Sequence, residues 1–264
     1  MDNMNTIRML LLLSTLASSA SGHTLYAEFS DELHPDTQAD FWIAYGHGGS
    51  ADAELLSLPV ARLISPVDET TDLELKSYKD GFKGTAMLKQ AGCYILDMQM
   101  ESALFNPSWF GAAGSTSLVQ KFGRALMPVA SGKGYDWSSG SGLEIVPETD
   151  PYELKSGDQF KARVLWNGQP VSGSLSTIIT RQPEDVLMVQ HAQETELEAE
   201  SADGSININT TRPGLWVLSF EATIDESGTW DATSDDTAGH YKKSDHLDYE
   251  QMAPTAFLSF WVKK

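Results

Sequence analysis

The strongest constraint on the fold is a hairpin signal within residues 142–171. Apolar side chains alternate along Leu143–Pro147 and again along residues 160–166, and this alternation predicts two strands with one buried face each. The second run leads directly into Asn167 and Gly168. This pair favours a two-residue hairpin turn, because both turn positions need a positive φ. Strand, loop, strand and tight turn predict the beginning of an antiparallel β-sandwich.

The chain before this hairpin shows similar strand-like runs. Residues 41–45 are rich in aromatic and β-branched side chains and end at a glycine-rich loop. Short strands separated by turn signals, without a sustained helical period, are typical of sandwiches. We therefore predict an all-β protein with two immunoglobulin-like β-sandwich domains, residues 23–130 and 142–264. Residues 131–141, which are rich in glycine and serine, would form the linker.

One region allows a helix between the two domains. Leu118, Phe122 and Leu126 recur at a spacing of four, which is compatible with a short amphipathic helix. Gly123 lies inside this pattern and weakens the interpretation.

The first 22 residues have the pattern of a secretory signal peptide. Arg8 precedes a short apolar run at residues 9–13, and small residues follow up to Gly22. This run is too short to span a bilayer, and no later run is long and apolar enough to do so. We expect residues 1–22 to be removed and the mature protein to be periplasmic, soluble and not inserted in the membrane.

Composition narrows the possible partners. The formal net charge of −19 argues against nucleic acid and anionic membranes, and is compatible with cations, basic partners or simply high solubility.

Cys93 is the only cysteine, so the chain has no internal disulfide. Its apolar neighbours predict a buried small side chain and not a reactive thiol. The sequence also lacks the HExxH, GxSxG and phosphate-loop motifs of common hydrolases and nucleotide-binding proteins.

Several short motifs give the second half of the chain a family resemblance. They are Leu143-Glu144-Ile145-Val146-Pro147, Asp150-Pro151-Tyr152, Gly157-Asp158, Asn167-Gly168-Gln169-Pro170-Val171, Asp203-Gly204 and Arg212-Pro213-Gly214-Leu215-Trp216. Most of residues 142–262 thus resembles a family of exported bacterial proteins, periplasmic components associated with cobalt and nickel uptake systems. Members often begin, after the signal, with a histidine and an aromatic-rich run, and residues 23–26 fit this with Tyr26 where tryptophan is common. The resemblance implies a periplasmic protein that handles nickel or cobalt beside a membrane metal transporter.

His23 is the first candidate metal ligand, because export would place it at or near the new N-terminus. Cleavage after Gly22 leaves a free amine and an imidazole on His23 itself, which can chelate one ion and need another histidine to complete a brace. Cleavage after Ala20 leaves Ser-Gly-His, whose amine, two amides and imidazole form a square-planar site suited to Cu(II) or Ni(II). The alternative is an incidental histidine beside a cleavage site.

Three other histidines have a context that suits metal binding. His47 lies between glycines directly after a predicted strand. His240 and His246 lie in a long acidic segment, residues 225–249, where carboxylates can assist imidazole in binding transition metals. A segment of this length without regular structure is generally functional or disordered. Each of these histidines is also compatible with an ordinary surface position.

Three functions remain open from the sequence. The first is a non-enzymatic periplasmic protein that binds or delivers nickel or cobalt, with His23, His47, His246 and His240 as ligands. The second is a copper oxidoreductase with a histidine brace, which needs His23 as the first residue. The third is a metal-free sandwich that binds a protein or glycan, in which exposed Trp109 or Trp230 would matter.

Overall fold

In a computed structural model of the protein, residues 23–46, 60–79, 81–181 and 195–264 are described. The predicted signal peptide and His47 lie outside these ranges. Within them the one helical segment is a 3₁₀-helix at Pro107–Phe110, and the regular structure is otherwise β. The strands are β1 (Thr24–Phe29), β2 (Thr37–Gly46), β3 (Val60–Ile64), β4 (Thr70–Asp72), β5 (Lys76–Tyr78), β6 (Gly81–Leu88), β7 (Gly92–Gln99), β8 (Ala103–Phe105), β9 (Ser117–Val129), β10 (Leu143–Pro147), β11 (Gln159–Trp166), β12 (Gln169–Pro170), β13 (Gly173–Arg181), β14 (Thr195–Ser201), β15 (Ser205–Asn209), β16 (Gly214–Glu221), β17 (Gly228–Asp231), β18 (His246–Tyr249) and β19 (Gln251–Val262).

The strands form three layers and one separate hairpin. A nine-stranded central sheet has the order β14-β13-β16-β19-β9-β7-β3-β4, with β8 also paired to β9. An N-terminal sheet has the order β1-β2-β6-β5, and a C-terminal sheet joins β10, β11, β12 and β15. Strands β17 and β18 pair separately as a hairpin. The described part of the chain is therefore all-β, as the sequence predicts.

The middle strands of the central sheet are buried on both faces, and neighbouring residues of one strand belong to different cores. In β19, Phe257 belongs to the core shared with the N-terminal sheet, whereas Leu258 belongs to the core shared with the C-terminal sheet. Phe260 faces the C-terminal sheet too and stacks on Phe160 of β11, with ring centroids 4.4 Å apart. Because side chains alternate along a strand, the two outer sheets cover opposite faces of the central sheet. A continuous apolar run such as residues 256–262 is what a strand buried on both faces requires.

The prediction of two separate sandwiches does not fit this central sheet. Strand β9 lies before residues 131–141 and β19 lies after them, yet the two strands pair in parallel from Ser117↔Gln251 to Ala125↔Ser259. Parallel pairing between strands so far apart leaves no local signal in the sequence. The chain therefore folds as two outer sheets on one shared sheet.

The suggested helix around Leu118, Phe122 and Leu126 is wrong, because these residues lie in strand β9. A spacing of four is a multiple of the two-residue period of a strand, so all three side chains still share one face. Phe122 and Leu126 both pack in the core beneath the C-terminal sheet.

Local predictions fare better. Asn167 and Gly168 have φ angles of 49° and 78°, and Trp166 pairs with Gln169 across them, as a hairpin turn of this kind requires. The predicted burial of Cys93 is confirmed, since 1% of its surface is exposed and burial raises the pKa of its thiol above the usual value.

Within the described ranges, no helical segment has the length and apolar character needed to cross a bilayer.

Residues 131–142 are anchored to the central sheet by the carboxylate of Glu144. Glu144 is 3% exposed and pairs with the buried guanidinium of Arg124 on β9. The carboxylate also accepts hydrogen bonds from Ser138 Oγ at 2.6 Å, Ser139 N at 2.8 Å and Gly140 N at 3.1 Å. The segment predicted as a linker is thus tied down at its C-terminal end by a buried charge.

Candidate metal centre

His23 lies at the edge of the N-terminal sheet, directly before β1. Strand β1 pairs with β2 so that Thr24 faces Gly46 and Leu25 faces Tyr45. His23 is therefore a diagonal neighbour of Tyr45 on one face of the ladder. The two rings stack, with centroids 5.3 Å apart and an angle of 27° between their planes. The imidazole of the predicted N-terminal ligand is half-buried and held by an aromatic ring.

Tyr45 is itself fixed from the central sheet by Lys121 of β9. The Lys121 ammonium donates a hydrogen bond to the Tyr45 hydroxyl and lies 4.7 Å from the centroid of its ring. Tyr45 also packs against the core beneath the N-terminal sheet. Tyr45, whose ring stacks on His23, is therefore held in place by a hydrogen bond, by a cation–π contact and by core packing.

Burial shifts the pKa values of Tyr45 and Lys121 away from those that the two side chains have in water. It raises the pKa of Tyr45 to about 12, so the phenol stays protonated at neutral pH. It lowers the pKa of Lys121 to about 8, although the negative charge of Glu221 opposes this shift. Sequence patterns did not identify either residue, because the Lys121–Tyr45 contact joins positions 76 residues apart on two sheets.

The remaining predicted ligands do not gather around His23 in the described part of the chain. His240 Nδ1 lies 2.7 Å from Asp236 Oδ2, and its ring stacks on Trp109 with centroids 4.2 Å apart. His246 Nδ1 contacts the carboxylate of Asp231, and its side chain is 77% exposed. Among the described residues no three His, Cys, Asp or Glu side chains form a group that could hold a metal ion. His47 cannot be placed, because it lies outside those residues.

The acidic segment that carries His240 and His246 is a folded hairpin. Asp235 accepts hydrogen bonds from Lys243 N at 2.8 Å and from Lys242 Nζ at 3.2 Å, which closes the loop between β17 and β18. Trp230 lies edge-on to Tyr241, with centroids 5.3 Å apart, and Trp109 is covered on one face by His240. The two tryptophans considered for partner binding therefore take part in the packing of this hairpin.

Two of the cavities in the described part of the chain lie away from His23. One, of about 550 Å³, is lined by residues that include Phe29, Trp42 and Trp261. The other, of about 440 Å³, lies between the central and C-terminal sheets, and its lining includes the ion pairs among Arg62, Asp97, Arg124 and Glu144. These charged groups pair with one another, and Glu226 also lines this cavity.

These features define the class of protein. It is an all-β protein of three sheet layers, and a histidine whose ring stacks on a tyrosine lies directly before the first described strand. Residues 20–224 match the family model described as "Domain of unknown function (DUF4198)", and the chain belongs to this uncharacterised domain family. No functionally curated protein shows significant sequence similarity to the chain.

The solved structures that resemble the chain distantly include a DUF4785 family protein from Legionella pneumophila subsp. pneumophila str. Philadelphia 1, with 13% sequence identity and a TM-score of 0.30. The match covers 75% of this chain and 53% of that protein, so the chain spans about half its length. A likeness this weak carries no argument about fold or function.

Proposed function

We propose that the mature protein is a non-enzymatic periplasmic protein that binds a divalent transition metal, with His23 as its N-terminal ligand and His47 as the partner. Nickel or cobalt uptake, beside a membrane transporter, is the process that the family resemblance suggests. The observation that carries the proposal is the stack of His23 on Tyr45 at the strand pair where Thr24 faces Gly46. Gly46 is the residue directly before His47 in the sequence.

The strand register makes this pair of ligands chemically reasonable. Cα atoms of directly paired antiparallel residues lie about 4.5–5.5 Å apart, and consecutive Cα atoms lie about 3.8 Å apart. The proposal requires the residues next to Thr24 and Gly46 in the sequence, His23 and His47, to bind a single ion through their imidazoles. Bonds from metal to imidazole nitrogen are about 2 Å long, so both rings would have to approach the ion this closely.

The proposed donors are nitrogen atoms, which suit divalent transition metals. Imidazole suits nickel, copper, iron and zinc, and a terminal amine adds a second nitrogen beside His23. The net charge of −19 raises the local concentration of cations around the whole molecule. His240 and His246 are not part of this proposed site, because they lie in the β17–β18 hairpin and not at the β1–β2 strand pair.

Calorimetric titration of the exported, processed protein with Ni(II), Co(II) and Cu(II) tests the proposal. We expect one site per chain, with affinity lowered at least about tenfold by His23→Ala, by His47→Ala and by one extra residue before His23. His34→Ala is the matched control, since this exposed histidine lies in the loop between β1 and β2, at the opposite end of the strand pair from His23, and its loss should leave binding unchanged. Affinity should also fall as pH falls through the histidine range, because protons compete for the ring nitrogens.

Unchanged affinity in both His47→Ala and the extended form would remove the proposed site. Oxygen consumption by the copper-loaded protein with a reductant would instead support the copper oxidoreductase. Absence of binding for all three ions would favour the metal-free binding module.

A further inference from the structure

We propose that the exposed ring of Phe110 and the acidic β17–β18 hairpin beside it form a docking surface for an arginine-rich segment of a partner protein. The surface consists of the rings of Phe105, Phe110 and His240 together with the carboxylates of residues 225–250. It shares no residue with the metal site proposed above, so neither proposal depends on the other.

Phe110 is the most exposed large apolar side chain in the described part of the chain, with 68% of its surface accessible. It is the last residue of the 3₁₀-helix Pro107–Phe110. Trp109, directly before it, packs against the small core that the hairpin shares with Leu104. The turn therefore packs one aromatic ring inward and leaves the next one in solvent, which is typical of an interaction site.

The backbone that carries Phe110 is fixed by local hydrogen bonds. Asn106 Oδ1 accepts a hydrogen bond from Ser108 N at 2.9 Å, and Gly111 N donates to the Ser108 carbonyl at 3.1 Å. Gly111 has a φ of 72°, a left-handed conformation that ends the turn at little cost for glycine. A side chain on a backbone fixed in this way loses less conformational freedom on binding, which favours affinity.

Two further rings extend the surface around Phe110. Phe105 of β8 is half-buried, and its ring stacks with that of Phe110 at a centroid distance of 5.8 Å. The His240 ring lies 6.0 Å from that of Phe110 and comes from the loop between β17 and β18. These contacts place the exposed ring directly beside the hairpin.

The hairpin is strongly acidic. Residues 225–250 carry eight carboxylates against two lysines, which gives a formal charge of −6. Neutral donors hold some of these carboxylates: Asp248 accepts a hydrogen bond from Thr229 Oγ1 at 2.8 Å, and Glu250 accepts one from Thr116 N at 2.9 Å. Such bonds fix the position of the negative charge without neutralising it.

Two carboxylates connect this charge to the surroundings of Phe110. Asp236 Oδ2 lies 2.7 Å from Nδ1 of His240, whose ring contacts Phe110. Glu250 bonds the backbone of Thr116, in the segment that follows the 3₁₀-helix. An exposed aromatic ring and positioned carboxylates therefore lie side by side.

This combination fits arginine better than other partner groups. A guanidinium stacks on aromatic rings and forms paired hydrogen bonds with carboxylates, whereas a lysine ammonium is a compact and strongly hydrated charge. The charge of the hairpin disfavours an anionic membrane, and the net charge of −19 disfavours a second copy of the chain. The complementary occupant is therefore a basic protein segment that contains arginine.

The experiment uses two synthetic peptides, one of alternating serine and arginine and one of alternating serine and lysine. Calorimetric titration at low salt measures the binding of each peptide to the exported, processed protein. We expect the arginine peptide to bind about two- to fivefold more tightly, which is the value of a cation–π contact at an exposed site. Added salt should weaken the binding of both peptides, because the carboxylates are exposed to solvent.

Three variants test the aromatic ring. Phe110→Leu keeps apolar bulk without the ring, so both peptides should bind it equally. Phe110→Tyr keeps the ring and should keep the preference for arginine. Tyr78→Leu removes another exposed aromatic ring, on β5, and is the matched control that should behave as wild type. Circular dichroism confirms that each variant is folded.

A double variant tests the charge. Asp236→Asn with Glu250→Gln removes two negative charges and keeps an acceptor oxygen at each position. It should weaken the binding of both peptides at least about threefold, as is typical for the loss of two exposed ion pairs.

The matched control for the charge is Asp31→Asn with Glu32→Gln, two exposed carboxylates in the loop between β1 and β2. This loop follows Phe29, whose carbonyl accepts a hydrogen bond from Trp261 Nε1 at 3.0 Å near the end of β19. The β17–β18 hairpin leads into the beginning of β19 instead. The control therefore removes the same charge at the opposite end of this strand and should leave binding unchanged.

Several results would overturn the inference. Equal binding of both peptides to wild type, or a preference for arginine that persists in Phe110→Leu, would leave only attraction by the net charge. An equal loss of affinity in the two double variants would lead to the same conclusion. A dimer in sedimentation that Phe110→Leu dissociates would assign the surface to a second copy, and Phe110-dependent flotation with phosphatidylcholine vesicles would assign it to a membrane.

Discussion

At the scale of single residues, Lys121 is the least expected feature of the candidate site. A lysine on a central strand usually points its ammonium to water, but here it reaches across two layers to the hydroxyl of Tyr45. His23 was recognisable from the sequence because of its position after the predicted signal peptide. Tyr45 and Lys121 were not, because their roles come from a contact between strands that are distant in the chain.

The shifted pKa of Lys121 predicts a pH-dependent stability. In the unfolded chain a lysine has a pKa of about 10.4, whereas burial lowers the pKa of Lys121 to about 8 in the fold. Between these values the unfolded state binds more protons, so this residue makes the fold more stable as pH rises. Lys121→Met lacks this dependence. Its free energy of unfolding should exceed that of wild type at pH 8, and the gap should narrow by about 2 kcal/mol by pH 10.

Denaturant unfolding at several pH values between 8 and 10 measures this gap. The range stops at pH 10 because Tyr45, with a pKa raised to about 12, begins to affect stability in the opposite direction above it. Lys161→Met on β11 is the matched control, since Lys161 is exposed. A constant gap between wild type and Lys121→Met would mean that Lys121 is well solvated in the fold.

At the scale of elements, turns were predictable and strand partners were not. The Asn167-Gly168 hairpin follows from turn chemistry alone, because the required positive φ angles belong to those two residues. A short helix was compatible with part of β9, because three apolar residues on one strand face also fit a helical spacing. Pairing on both sides, with β7 and with β19, determines its structure, and neither pairing is local.

The 131–142 segment gives a prediction at this scale. Burial alone would raise the pKa of Glu144, but Arg124 and the hydrogen bonds from Ser138 and Ser139 outweigh it and hold that pKa below its usual value. Glu144→Gln leaves the Arg124 guanidinium with Asp97 as its remaining anionic partner. We expect the free energy of unfolding to fall by about 3 kcal/mol at pH 7, as is typical when one member of a buried ion pair is removed.

The sign of the pH effect follows from the lowered pKa. The contribution of Glu144 is complete above the unfolded pKa of about 4.3 and is lost as pH falls through the lower folded value. The difference between wild type and Glu144→Gln should therefore shrink in acid. Glu148→Gln removes a solvent-exposed pair with Arg163 and should change stability by no more than about 0.5 kcal/mol. Equal effects of the two substitutions would contradict the anchoring role of Glu144.

At the scale of the whole molecule, the sequence predicted the fold class but not the arrangement of layers. Alternating and continuous apolar runs identify strands with one or two buried faces, and they do not say which strand pairs with which. The continuous apolar run of β19 is typical of a strand buried on both faces, but nothing in that run indicates that β9 is its parallel neighbour. The shared central sheet joins the halves that looked like separate domains in the sequence.

This shared sheet predicts that both outer sheets unfold together. Phe257 and Leu258 are neighbours on β19, with exposed fractions of 2% and 0%, and they face the N-terminal and C-terminal sheets respectively. Each substitution to alanine should lower the free energy of unfolding by about 3 kcal/mol. If the protein unfolds as a single cooperative unit, its slowest amides exchange through global unfolding. Either substitution should then accelerate hydrogen exchange equally in peptides from β2 and from β11. Mass spectrometry of the two peptides measures this, with wild type as reference. If Leu258→Ala accelerated exchange in β11 while β2 stayed protected, and Phe257→Ala did the reverse, the two halves would be independent despite their common sheet.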